Sequence, residues 1–138
     1  MSIPRGVRNC NPGNIREDGV RWKGEIRPSA DPAFKQFRSM AWGYRAMFVT
    51  LNTYRRRYGL NTLRGMIHRW APPSENDTAV YVKYVAAHSG IAPDAELDTL
   101  RPESMCPLVA AMSRMENGRP ADPEQVRQGW ELFEKHRS

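Results

Sequence analysis

Glu116 has the residue type and the position to do chemistry. Met105, Leu108, Val109 and Met112 recur at helical spacing, and Glu116 falls four residues after Met112 and seven after Val109. A carboxylate therefore continues an apolar face. It also falls in the last turn of that helix, ahead of Asn117 and Gly118, where unpaired carbonyls make the local potential negative. Both features disfavour the charged form. An acid still protonated near neutral pH can donate to the leaving oxygen of a glycosidic bond. The plainer alternative is a frayed, solvated Glu at a helix end.

Other candidates carry two readings each. Glu75 and Asp77 flank Asn76 just before a predicted helix; they are helix-capping groups or a second carboxylate at a cleft rim. Trp22, Trp42 and Trp70, with Tyr81, either stack on sugar faces or pack in the core. Cys10 and Cys106 make no disulfide framework and no zinc pattern; one bridge between them, or two unrelated thiols, remain open. His68, His88 and His136 lack metal-ligand spacing. Gly13 belongs to no phosphate-loop motif. No metal and no organic cofactor is implied.

These residues need elements to position them. Residues 1–38 are dense in Gly and Pro, which predicts turns and short extended pieces instead of helices. Residues 11–14, Asn-Pro-Gly-Asn, read as a tight turn with Gly13 free to take positive φ. Residues 20–26 and 34–37 read as brief strands. Helices are expected over 40–58, with Ser39 as cap, Tyr44, Met47, Phe48, Leu51 and Tyr58 inward and Gly59 as stop. A second is expected over 62–70 with Leu63, Met66 and Ile67 inward, ended by Pro72 and Pro73. A third, capped by Asn76 or Asp77, carries Val80, Tyr81, Tyr84 and Val85 to Gly90. A fourth opens near Pro102 and ends at Gly118. A fifth follows Asp122 with Val126, Trp130 and Phe133 inward. The expected fold is mainly α: one domain over 1–138, about five helices and a small N-terminal loop or β lobe.

The totals agree with this. A chain of 138 residues, 40% apolar and 26% charged, suits one globular domain. A net charge of +6 attracts polyanions, including nucleic acid, anionic lipid and the bacterial wall. The run Arg55, Arg56 and Arg57 reads as a solvated helix face. No apolar stretch is long enough to span a membrane, and the start lacks a signal-peptide pattern. The expectation is a chain made in the cytoplasm that does not insert into membranes.

Residues 5–16, Arg-Gly-Val-Arg-Asn-Cys-Asn-Pro-Gly-Asn-Ile-Arg, followed by Trp22-Lys23-Gly24, resemble a family of phage virion-associated, peptidoglycan-degrading, lysozyme-like proteins. Residues 57–62, 69–78 and 115–118 carry the same resemblance. That family typically has Asn at position 10 and His at position 115, where this chain has Cys and Met. A more distant resemblance is to bacterial N-acetylglucosaminidases. They place a catalytic Glu at a helix end ahead of the turn, Trp-x-Gly and aromatic-strand segments. Here the equivalent Glu segment is 112–118, at the other end of the chain.

The resemblance thus implies a circularly permuted lysozyme-like domain, with Glu116 packed beside the 11–15 turn. It implies peptidoglycan glycan strands as substrate and cleavage between amino sugars as a muramidase, glucosaminidase or lytic transglycosylase. Glu116 is then the acid, and Asn11, Asn14, Ile15, Trp22, Trp42 and Tyr81 bind substrate. Capture of the oxocarbenium-like state is open between a water held by Asp77 or Glu75, the substrate's acetamido group and the sugar's own 6-hydroxyl. Delivery by a phage particle or secretion apparatus would bring the protein to the periplasm or wall, with components of that apparatus as further partners. The competing readings are a non-enzymatic virion protein, an enzyme cutting wall peptides and a nucleic-acid binder. The helices lack a basic recognition face, so no specific nucleic acid is expected.

Overall fold

The helices of eight residues or more start and stop largely where the sequence supplies caps. In the computed structural model, which describes residues 2–137, these are α2 (Met40–Tyr58), α3 (Leu63–Trp70), α4 (Thr78–Ser89), α5 (Pro102–Asn117) and α6 (Pro123–Lys135). They follow a one-turn helix α1 (Arg5–Arg8) and two short strands, β1 (Glu25–Ile26) and β2 (Gln36–Phe37). The side chains of Ser39, Thr62, Asp77 and Asp122 each accept a hydrogen bond from a first-turn amide. Gly59, Gly90 and Gly118 close α2, α4 and α5 in the left-handed conformation, which glycine adopts without a Cβ penalty. The protein is mainly helical with a small two-stranded sheet, in line with the expectation.

The N-terminal lobe departs from it in detail. Residues 5–8 form a helical turn within the segment expected to hold none. Pro4, at φ −54, presets its entry, and Arg5 is fastened to Asp31 by two hydrogen bonds of 2.5 and 2.8 Å. Only the last two residues of the expected 20–26 strand pair, with Glu25 opposite Phe37 and Ile26 opposite Gln36. The segment before them folds around Lys35 instead. Two residues expected inward are exposed. Tyr58 ends α2 beneath the Arg69 guanidinium, 3.7 Å from its ring centroid, and Val80 lies in the first turn of α4. Arg55, Arg56 and Arg57 are solvated, as expected.

The core lies between α2 and the four helices that follow it. Tyr44, Met47, Phe48 and Leu51 of α2 are buried against Leu63, Met66 and Ile67, Tyr81 and Val85, Met105, Leu108, Val109 and Met112, and Val126, Trp130 and Phe133. Phe48 meets Trp130 edge-on at 5.0 Å. The Tyr44 hydroxyl pairs with Ser113 at 3.0 Å inside the core, and Arg45 donates to the His136 carbonyl at 2.7 Å. Cys10 and Cys106 are separate free thiols, which answers the open question of a bridge. No helix of the described residues is long and apolar enough to cross a membrane.

α6 lies close on α2 because residue 129 is glycine. A Cβ there would stand 2.5 Å from Tyr44 Cβ and 3.0 Å from the Ala41 carbonyl oxygen. On an open helix face Gly→Ala stabilises by about 1 kcal/mol. Here it must push two helices apart, at about 1–3 kcal/mol. Gly129→Ala should therefore lower the melting temperature by several degrees, followed by circular dichroism; a rise would show that the helices do not pack this closely.

Candidate functional site

The site begins at the 11–14 turn, closed by the Asn14 amide donating to the Asn11 carbonyl at 3.0 Å. Positive φ does not fall on Gly13. It falls on Cys10 (φ 50) and Asn14 (φ 49). Position 13 needs glycine for space, since a Cβ would stand 2.7 Å from the Trp70 ring. The backbone of the turn therefore lies directly on Trp70.

The C-terminal end of α5 reaches the same turn. Asn117, buried, donates from Nδ2 to the carbonyls of Pro12 and Ser113, both at 2.9 Å. Glu116, the preceding residue, is half-buried. Its Oε1 accepts from Asn14 Nδ2 at 3.0 Å and its Oε2 from the Tyr81 hydroxyl at 2.8 Å. Residues 102 and 35 positions away in sequence thus grip the two oxygens of one carboxylate. Tyr81 is 4% exposed. Burial, and then the neighbouring Glu116, push its phenol well above the usual value, against a hydrogen bond with Trp70. Tyr81 thus remains a neutral donor.

Glu116 opens into a cleft of about 560 Å³. The N-terminal lobe lines it with residues including Asn14, Ile15, Arg16, Trp22 and Phe34, and the helical part with residues including Tyr54, Arg69, Trp70 and Glu75. The opening is walled by aromatic and polar side chains drawn from both parts, with the Glu116 carboxyl group among them. Among the described residues no group of three His, Cys, Asp or Glu side chains is arranged to hold a metal ion.

Trp22 is carried by a loop that depends on Lys35. This ammonium is fully buried and meets Asp18 at 2.7 Å, Glu25 at 3.1 Å, Glu17 at 3.3 Å and the Val20 carbonyl at 2.7 Å. Glu25 also accepts from the Trp22 amide at 2.9 Å. Burial alone would raise Glu17 and Asp18. Loop amides and Lys35 more than offset it, leaving both carboxyls below the usual range. Burial opposes the charge on Lys35 too, and Asp18 and Glu25 outweigh it, so its pKa is raised.

The structure therefore brings Asn14, Ile15, Trp22, Glu75 and Glu116 to one cleft, with Tyr81 behind Glu116. It places three other candidates outside the lining of that cleft. Asn11 is completely buried and serves as a brace, accepting from the Ile15 amide and donating to the carbonyls of Ile15 and Lys35, all at 2.9 Å. Asp77 spends its side chain capping α4 through the Val80 amide. Trp42 does not line the cleft; it lies in a small groove with Arg21, Lys23 and Arg38 that meets the cleft at Trp22, stacked on His136. Sequence reasoning assigned no role to Arg16, Tyr54, Arg69 or Asn117. For Asn117 a signal existed: it follows Glu116 on the helix and precedes the terminating glycine.

The chain is 40% identical over 131 residues to Protein P5 of Pseudoalteromonas phage PM2, covering 92% of this chain and 80% of that protein. The chain belongs to the Protein P5 family. No family model matches it. The Protein P5 relationship runs along nearly the whole chain, so it spans the lobe and the helices that together form the cleft.

Two measurements test this geometry. Cys10 occupies a left-handed conformation that Asn adopts more readily, and Asn is the residue that the resembling family carries there. Cys10→Asn should raise the melting temperature by a few degrees, and a loss would show that the thiol's packing outweighs the backbone strain. The second is pH. Glu17, Asp18 and Asp31, the last lowered chiefly by its hydrogen bond from Arg5, lie below the usual carboxylate range. Their stabilisation is present above their unfolded values of about 4 and is lost as pH falls through the folded ones. Lys35, raised, contributes below its unfolded value of about 10.4 and loses that only as pH rises through its folded value. Thermal stability should be flat from pH 7 to about 5 and fall below about 4. Lys35→Met should destabilise more at pH 7 than at pH 3, which lies below the unfolded values of these carboxylates. An equal loss at both would rule out the charge cluster as its origin.

Proposed function

We propose that this protein cleaves the glycan strands of peptidoglycan, with Glu116 as the general acid. The carrying observation is the Glu116 carboxyl group at the cleft, held on one oxygen by Asn14 and on the other by Tyr81. The adjacency of Glu116 to the 11–15 turn, 102 residues from Asn14, is what a circularly permuted lysozyme-like site requires. The phage relative supports delivery to the wall by a virus particle.

In this reaction the sugar chain lies along the cleft against Trp22 and Trp70, and Glu116 protonates the glycosidic oxygen. Asn14 and Tyr81 hold the two oxygens of this carboxyl group and so fix its orientation at the cleft. The same carboxylate can then take a proton from the attacking group. Asp18, also in the cleft, is bound to Lys35, and Asp77 caps a helix. That leaves Glu75 as the candidate base for a water. It is exposed, and this favours the routes that need one protein acid: acetamido assistance or attack by the 6-hydroxyl, with Glu116 switching from acid to base.

Glu116→Gln keeps the shape and the acceptor for Asn14 and removes the proton. It should reduce release of disaccharide-peptides from purified peptidoglycan by about 10²–10⁴-fold, read by mass spectrometry. An anhydro sugar at the product end would mark 6-hydroxyl attack. Glycan strands left intact by the wild-type protein would instead favour a non-enzymatic virion component.

A further inference from the structure

Two guanidinium groups in the cleft have no acidic partner among the described residues. Arg16 and Arg69 both line it. Among the described residues neither forms an ion pair, whereas Arg5, Arg64, Arg101 and Arg127 all do. Arg16 comes from the lobe, where residue 16 bridges Phe34, and Arg69 from the last turn of α3. Each is held over an aromatic ring. Arg16 lies 5.0 Å from the Phe34 centroid, and Arg69 lies 3.7 Å from Tyr58 and 5.4 Å from Tyr54. Stacking restrains the side chain and leaves the N–H fork free for a planar anion. Arg55, Arg56 and Arg57 lack such restraint and point to bulk solvent.

We infer that Arg16 and Arg69 bind carboxylates carried by the peptide stems of the glycan, so that the cleft selects an acidic, stem-bearing strand over a neutral amino-sugar polymer. The inference rests on the glycan-cleaving reading of the cleft and assigns its specificity. A neutral polymer of N-acetylglucosamine offers nothing for a guanidinium to pair with. A stem peptide offers free carboxylates beside the sugar chain, which suits bidentate pairing at the margin while the rings lie against Trp22 and Trp70. Asp18 is paired with Lys35, a cation it shares with Glu17 and Glu25; Glu75 and Glu116 are the cleft's other carboxyl groups. A uronic-acid polysaccharide also carries carboxylates, but on each ring and not on a side branch, and the test separates the two.

The test measures binding to the full chain carrying Glu116→Gln, so that turnover does not interfere. The probes are solubilised stem-bearing peptidoglycan strands, N-acetylchitotetraose and an oligogalacturonate. The stem-bearing strands should bind most tightly, with an affinity that weakens as salt rises. Arg16→Gln and Arg69→Gln should each lower it by about fivefold, the upper range for a partly exposed ion pair, and together bring it toward that of chitotetraose. Circular dichroism checks that these exposed positions leave the fold intact. Equal binding of stem-bearing strands and chitotetraose, indifferent to both arginines, would overturn the inference and leave the glycan cleft standing. Oligogalacturonate binding as tightly as the stem-bearing strands would reassign the arginines to ring carboxylates. Failure of all three probes to bind would remove the glycan reading itself.

Discussion

The site depends on one buried amide. Asn117 donates to the carbonyls of Pro12 and Ser113, and so fastens the end of α5 to a turn near the start of the chain. Adjacent residues on a helix point about 100° apart. When Asn117 is fixed toward the turn, Glu116 is carried round to face Asn14 and Tyr81. A Glu two residues before a left-handed glycine would otherwise fray with the helix end. The clasp turns a frayed position into a fixed one, and the carboxyl group is then held by donors from two further segments.

This arrangement is costly, and the costs are concentrated around the turn. The side-chain oxygens of Asn14 and Asn117 are buried without a hydrogen-bond partner, a state that costs about 1–3 kcal/mol per group. Cys10 and Asn14 both take positive φ, at about 1–2 kcal/mol for Cys10 and less for Asn14. Such features persist only where the surroundings over-determine them. The helical core does so here: Tyr44 reaches Ser113 inside it, and the Trp70 ring lies close against Gly13. Strain and orphaned polar atoms within one turn of a solvent-facing carboxyl group have a simpler explanation as the by-product of presenting that group than as folding defects.

The helical body was legible in the sequence because its signals are local. Ser39, Thr62, Asp77 and Asp122 cap within three residues, and the apolar stripes repeat every three or four. Glu116 was legible for the same reason, as a carboxylate interrupting such a stripe. The lobe was not. Its 20–26 segment has strand-like composition, but pairing was lost to Lys35, whose partners Glu17, Asp18 and Glu25 cluster only after the chain folds back. Gly13 was read as a conformational residue, and its real constraint is a tryptophan 57 positions away. Trp42 and Trp70 are equivalent by composition, and tertiary packing alone puts Trp70 in the cleft and Trp42 in a groove beyond Trp22. Arg16 and Arg69 are anonymous members of a basic sequence until a shared cleft sets them apart.

The two sides of the cleft are therefore held by different forces. Glu116, Tyr81 and Trp70 stand on a close-packed apolar core, whose contribution changes little with pH or salt. Trp22 stands on a loop folded around one buried ammonium and three carboxylates. Burying those charges costs several kcal/mol per ion before their mutual attraction is counted, so the loop gains less in net stability than in uniqueness of placement. An apolar residue at position 35 would fill the space but could not dictate where the carbonyl of Val20 and the carboxylates of residues 17, 18 and 25 converge. The ammonium does, and in doing so it sets the position of Trp22 across from the acid. The Glu116 side of the cleft is thus fixed by packing and the Trp22 side by charge, which makes the latter the side that acid conditions will loosen first.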